Sequence, residues 1–210
     1  MKKLVLSFAL LAMSGFAFAQ KQVTIKGGTI VPVEAVEKGY HGMVEAGYSL
    51  VYFGSSSTKV NWTEINTVHG YQATPYLFVG AGVGFHFVPE LKDGDIGGKP
   101  YCKRDASMEI PLFADFRWTI LNKRITPFID LRLGHDLTNG SGMYQCLNVG
   151  CRFALKNKHA INAMIALDSH KLKFQEIYSV KTGKYDYDWI YRDVTNESQQ
   201  GLVLKVGYEF

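Results

Sequence analysis

The stretch "EIPLFADFRWTI" (Glu109 to Ile120) alternates with a period of two. Ile110, Leu112, Ala114, Phe116, Trp118 and Ile120 fall on one side of an extended strand. Glu109, Phe113, Asp115, Arg117 and Thr119 fall on the other. One face is apolar, and the other carries acids and bases in close succession. A fold that accepts this segment must give the first face an apolar neighbour and the second face ion partners.

The same period recurs at about 40–52, 60–73, 75–88, 107–121, 124–138, 143–155, 159–173 and 199–210, while a helical period is almost nowhere to be found. In the fifth segment Ile129, Leu131 and Leu133 oppose Asp130, Arg132 and Gly134. In the sixth, Leu147, Val149, Cys151, Phe153 and Leu155 oppose Asn148, Gly150 and Arg152. Ile161, Ala163, Ile165 and Leu167 oppose Asn162, Met164 and Asp168 in the seventh, and Leu77, Val79, Ala81, Val83 and Phe85 oppose Gly80, Gly82 and Gly84 in the third. The second segment is ambiguous. With Ile65, Thr67, His69 and Tyr71 on the apolar side, Glu64 and Asn66 join the charged side; the opposite register puts a charge among apolar groups.

The N-terminus indicates the compartment. "MKK", an apolar run from Leu4 to Met13 and "AFA" (Ala17 to Ala19) have the form of a secretory signal peptide cleaved before Gln20. Residues 1–19 are therefore expected to be removed, 20–39 to form a periplasmic N-terminal segment, and 40–210 to form one barrel domain. Losing Lys2 and Lys3 lowers the formal charge from +4 to +2, which gives no reason to expect a nucleic-acid partner. No later run is long and apolar enough for a membrane helix, so any membrane residence must be by strands. Cys146 and Cys151, five apart on one strand, point to opposite faces and should not pair, whereas a Cys102–Cys146 bridge is open. No CxxC or Cys/His spacing of a zinc site appears, and no metal or cofactor is expected.

Links after the second, fourth and sixth strands are tight: Thr74–Pro75, Asn122 to Arg124 and Lys156 to Lys158. Links after the odd strands fall at 53–59, 89–106, 139–142 and 174–198, and two of them are long. This asymmetry predicts an all-β, eight-stranded antiparallel up-and-down barrel, with periplasmic termini and turns and longer outer loops.

Alternation alone does not say which way the sheet faces. A soluble, lipocalin-like secreted barrel would turn the apolar face inward. Three features favour the reverse. Strand glycines (Gly47, Gly80, Gly82, Gly84, Gly134, Gly150 and Gly207) share the charged face, where small residues leave room inside a narrow tube. On the apolar face, Tyr48, Tyr52, Phe85 and Phe87 gather at one predicted end and Trp118, Phe153, Tyr208 and Phe210 at the other, like two interfacial girdles. The last strand, "GLVLKVGYEF" (Gly201 to Phe210), must seam to the first to close the tube. The chain then stops at the periplasmic rim.

The signal peptide, the eight alternating segments and the terminal "VGYEF" resemble small outer-membrane barrels of the OmpA/OmpX type. "HGYQATPYLFVGAGVGF" (His69 to Phe85) is similar to the outer-membrane β-barrel family common in Bacteroidetes. The resemblance implies residence in the outer membrane of a Gram-negative bacterium, in contact with its lipid. It also implies that Val206, Tyr208 and Phe210 form the signal read by the barrel-assembly machinery.

An eight-stranded barrel has room for side chains and little else. Glu45, Glu109, Asp115, Arg117, Asp130, Arg132, Arg152, Asp168, Lys205 and Glu209 are expected to fill it as a nearly balanced ionic network. Function then falls to the outer loops 89–106 and 174–198, in a non-enzymatic structural or binding role toward an extracellular protein or glycan. Tyr185, Tyr187, Trp189 and Tyr191 are the candidate contacts there, unless they extend the last two strands instead. The alternative is a lipid A-modifying enzyme, which resemblance to some small outer-membrane barrels would suggest. Asp168, Ser169 and His170, with His135 and Asp136 at a similar level, are its raw material. Ser169 and His170, however, are adjacent on one strand and cannot form a dyad directly. His69 and His86 are expected to be rim or packing residues.

Overall fold

The computed structural model describes residues 23–26, 29–32, 36–54, 60–91, 101–138, 142–155, 158–183 and 187–210. The expected leader 1–19, its cleavage point, the middle of the 89–106 connection and Tyr185 lie outside the described residues.

Within the N-terminal segment, β1 (Val23–Lys26) and β2 (Thr29–Pro32) pair only with each other. The barrel follows. Its eight staves are β3 (Gly39–Gly54), β4 (Thr63–Thr74), β5 (Leu77–Val88), β8 (Pro111–Thr119), β9 (Ile125–Asp136), β10 (Met143–Ala154), β11 (Ala160–Lys181) and β12 (Tyr187–Glu209). Two short strands, β6 (Tyr101–Lys103) and β7 (Ser107–Glu109), precede β8. Each stave pairs antiparallel with its neighbours, and β12 closes on β3. At that seam Gly42 N donates to Phe210 O and Phe210 N donates to Gly42 O, both at 2.9 Å.

The alternation expected from sequence sets the faces. Leu112, Trp118, Leu133, Val149, Leu167 and Leu204 are exposed on the outside, while Asp115, Asp130, Arg132, Asn148 and Lys205 are buried inside. Tyr48, Phe85 and Phe87 ring one end of the exterior; Trp118, Phe153, Tyr208 and Phe210 ring the other. The ambiguous second segment takes the register with Ile65 out and Glu64 and Asn66 fully buried. Interior glycines stand where the lumen is tightest. A Cβ on Gly82 would come within 2.6 Å of the Phe113 ring and 2.7 Å of Thr67 O.

Two expectations need correction, and one open question is answered. The fourth segment is not continuous. Pro111 has no N–H to give a ladder, and Ile110 N turns to Asp136 Oδ1 (3.2 Å) and Thr138 Oγ1 (3.0 Å). The last connection is not a loop over 174–198. β11 and β12 stay paired to Lys181↔Tyr187, with one irregularity between Leu172 and Phe174. The Cys102–Cys146 bridge does not form, since Cys146 is a free, buried thiol inside the barrel. Cys151 points the other way.

Contacts made outside the eight staves mark both mouths. At the terminal end, Val36 N donates to Asn122 Oδ1 (3.0 Å), and Glu37 pairs with Lys158 (2.8 Å). At the other end β6 pairs with β11 at Gln175–Ile177, beyond the point where β10 stops. Arg104 is pinned there by Glu109 (2.8 Å) and Lys173 O (3.2 Å).

Candidate functional site: the ionic lumen and the outer rim

Period-two alternation on paired strands places inward residues side by side, so the register itself builds the network. Asp115 stands opposite Arg132, and Arg117 opposite Asp130. All ten residues expected inside the tube are buried, and each joins other polar groups.

Nearest the termini, Glu209 accepts from Arg152 Nη2 (2.8 Å) and lies 2.9 Å from His41 Nδ1. His41 Nε2 is 2.9 Å from Glu37 O, so the imidazole ties the segment below the barrel to its floor. One layer further, Arg132 grips Glu45 with two parallel bonds of 2.7 and 2.9 Å. This fork geometry is the strongest form of the pair. Its Nε reaches Asp115 (3.2 Å) and its Nη2 reaches Asp130 (3.1 Å). Arg117 also holds Asp130 (2.8 Å) and lies over the Phe128 ring at 4.4 Å. Asn148 Nδ2 adds a third donor to Asp130 at 3.1 Å.

Above this layer Lys205 Nζ meets Glu64 Oε1 at 2.6 Å. Glu64 also accepts from Asn66 Nδ2 (2.9 Å) and Trp62 Nε1 (3.3 Å). His86, Asp168 and His170 follow, walled by Trp62, Tyr144 and Phe113. Glu109 ends the column, held by Arg104, Ser107 Oγ (2.7 Å) and Thr138 Oγ1 (3.1 Å).

Sequence reasoning missed His41, His86, Arg104 and Asp136 as interior groups, and placed Glu64 there in only one of two registers. Among the described residues the buried interior holds eight carboxylates against five arginine or lysine side chains, with three histidines beside them. The expected near-balance thus becomes an acidic excess. His86 was legible: it continues the inward row of Gly80, Gly82 and Gly84 by two residues.

Of the remaining candidates, His170 is buried and Ser169 faces the other way, so no dyad forms between them. His135 Nδ1 turns to Asp136 O (2.8 Å), and Asp136 Oδ1 accepts from Thr138. A hydroxyl–imidazole contact does exist on the apolar exterior: His69 Nε2 lies 2.9 Å from Thr67 Oγ1 and Nδ1 2.6 Å from Tyr40 Oη. It sits in the terminal half of the barrel, because His69 pairs with Gly42 at the level of the Phe210 seam. Both ring nitrogens are engaged, which satisfies the imidazole in apolar surroundings.

Tyr187, Trp189 and Tyr191 occupy alternate positions of β12, in register with Lys181, Ser179 and Ile177. They are strand residues of an extended hairpin rather than loop residues. At the outer rim a groove of about 760 Å³ runs between Tyr48, Phe87, Leu91 and Met108, with Asn61 and Glu90 at its edge.

No family model and no curated protein matches the sequence. Solved structures do match. Neisserial surface protein A superposes with a TM-score of 0.52 at 10% identity, over 81% of this chain and 96% of that one. The outer-membrane enzyme PagL aligns over 78% of this chain and 97% of its own at 14% identity, with a TM-score of 0.41. The first likeness supports the fold: an eight-stranded closed antiparallel barrel.

Proposed function

We propose that this chain is an integral outer-membrane barrel of a Gram-negative cell, with a sealed lumen, that acts through its outer rim in a structural or binding role without catalysis. The observation that carries this reading is the inverted distribution of polarity. Charged side chains fill the tube and pair with one another, while Leu, Ile, Val and aromatic side chains cover the outside. In water that exterior would be a contiguous apolar patch far beyond what soluble monomers expose; in a bilayer it is the expected lipid-facing band.

A sealed tube leaves the rim as the part able to meet a partner. The β11–β12 hairpin carries Tyr187, Trp189 and Tyr191 at alternate backbone positions, and the groove beside Tyr48 and Phe87 combines apolar walls with Asn61 and Glu90. Amphipathic aromatic surface of this kind suits an extracellular protein or glycan. During biogenesis Val206, Tyr208 and Phe210 serve the assembly machinery. The lipid A-modifying alternative gains no support from Ser169 and His170, which face opposite sides of β11.

Planar-bilayer recordings on the refolded protein test the sealed lumen. The expected result is no stepwise conductance above the bare membrane; steady open-channel steps would overturn the reading. Mass spectra of lipid A from cells with and without the protein should be identical, and a mass change of one acyl or polar group would restore the enzymatic alternative.

A further inference from the structure

In the layer of the lumen beyond Lys205, three side chains from two different staves come together. His86 comes from β5, and Asp168 and His170 come from β11. One ligand atom from each lies within 4.8 Å of the others, and all three residues are buried. We propose that these residues form a binding site for one divalent transition-metal cation of the zinc class, through His86 Nδ1, His170 Nε2 and Asp168 Oδ1.

The spacing fits. A tetrahedral zinc with bonds of about 2.0–2.1 Å holds its ligand atoms roughly 3.3 Å apart. Here His86 Nδ1 and His170 Nε2 are 3.0 Å apart, and His170 Nε2 and Asp168 Oδ1 are 3.2 Å apart. Two of the three ligand–ligand separations therefore already match a tetrahedral cation. Two imidazole nitrogens and one carboxylate oxygen are a borderline donor set, suited to zinc, cobalt or nickel rather than calcium or magnesium.

The surroundings orient each ligand. His86 Nε2 lies 3.0 Å from Asn66 Oδ1, which can only accept there, so Nε2 carries the proton and Nδ1 keeps its lone pair for the centre. Tyr144 Oη donates to Asp168 Oδ2 at 3.4 Å, on the oxygen that faces away from the site. Lys205 Nζ approaches that same oxygen at 3.9 Å. Outer partners that fix tautomer and carboxylate orientation are the usual companions of metal ligands.

Without a metal the centre is short of donors. His170 Nε2 lies 3.2 Å from Asp168 Oδ1 and 3.0 Å from His86 Nδ1, so its single proton must answer two acceptors. Charge points the same way: Glu64 and Asp168 share this layer with Lys205 alone among fixed cations, and the described interior is acidic overall. The spacing signal was absent from the sequence because the two histidines are separated by more than eighty residues of chain and meet only through barrel closure.

The site is enclosed by Trp62 and Tyr144, so the metal must enter while the barrel closes. The test is to refold the full chain from urea into detergent micelles with excess Co²⁺, remove unbound metal by gel filtration, and count cobalt on the heat-modifiable, folded band. The expected result is one cobalt per chain, with the intense visible absorption of a tetrahedral site. His86→Ala and Asp168→Asn should each weaken retention by about 100-fold or more. Asn66→Leu, which removes the outer partner of His86 and one donor to Glu64 but no ligand, should weaken it about 10–100-fold. Wild type alone can overturn the proposal: a folded barrel that retains no stoichiometric cobalt or zinc sinks it. Bound metal that survives both ligand substitutions in folded protein sinks it equally. Should those two variants fail to fold, the Asn66→Leu ratio and the wild-type spectrum decide.

Discussion

Arg132 is the side chain on which the lumen depends most. It is fully buried and contacts Glu45, Asp115 and Asp130 at 2.7–3.2 Å. Arg132→Met keeps much of the volume and removes the charge. Glu45 then retains only the longer 3.4 Å contact to Arg117, and Asp115 loses its ion partner. Breaking one buried pair by deleting a single partner costs about 3–5 kcal/mol. Since three carboxylates share this guanidinium, the upper half of that range is expected. Lys at the same position cannot reproduce the fork, so Arg132→Lys should recover no more than about half of the loss. The assay is urea-induced unfolding in lipid vesicles, followed by tryptophan fluorescence and by heat-modifiable mobility. A double cycle with Glu45→Gln should give a coupling of about 1–3 kcal/mol. A wild-type-like midpoint for Arg132→Met, or a coupling near zero, would refute the idea that lumenal ion pairing holds the barrel closed.

Other expectations follow from packing and seam geometry. Gly82→Val should block folding into vesicles, because the added carbons would collide with the Phe113 ring and with Thr67 O on the neighbouring stave; normal folding yields would contradict the close approach. Phe210→Ala should lower the amount of assembled protein in outer membranes, because the Phe210 ring packs over Gly42 beside the β3–β12 seam; unchanged levels on immunoblots would argue against that role. Val149→Arg, on the exterior, should destabilise the barrel by about 2–4 kcal/mol if it faces the bilayer midplane. The same change on a solvated surface would cost less than about 0.5 kcal/mol, so vesicle unfolding separates the two cases.

The staves were legible because a barrel stave between lipid and an ionic lumen must alternate, as Ile129–Leu133 and Leu147–Phe153 do. Above the lipid band that constraint ends. "EIYSVK" and "YDWIYRD" carry strand-favouring residues without an apolar stripe, so a loop and an extension of the last two strands fitted the sequence equally well. The break at Ile110 was hidden because the alternation runs unbroken through Pro111, and only the missing N–H betrays it. Interior partners were half legible. Asp115, Arg132 and Lys205 could be assigned to a face from their own strands, but Glu64 needed the register that β3 and β5 impose. The meeting of His86 with His170 required three-dimensional closure, to which no local pattern refers.

The most direct check is site-directed spin labelling of the protein reconstituted in lipid vesicles, with nitroxides at Leu133, Val149 and Leu204. Collisions with dissolved oxygen should be frequent and collisions with a water-soluble nickel chelate rare at all three positions. The reverse pattern, with the chelate reaching these sites freely, would mean that the apolar face is not in lipid and would contradict the outer-membrane reading at its base.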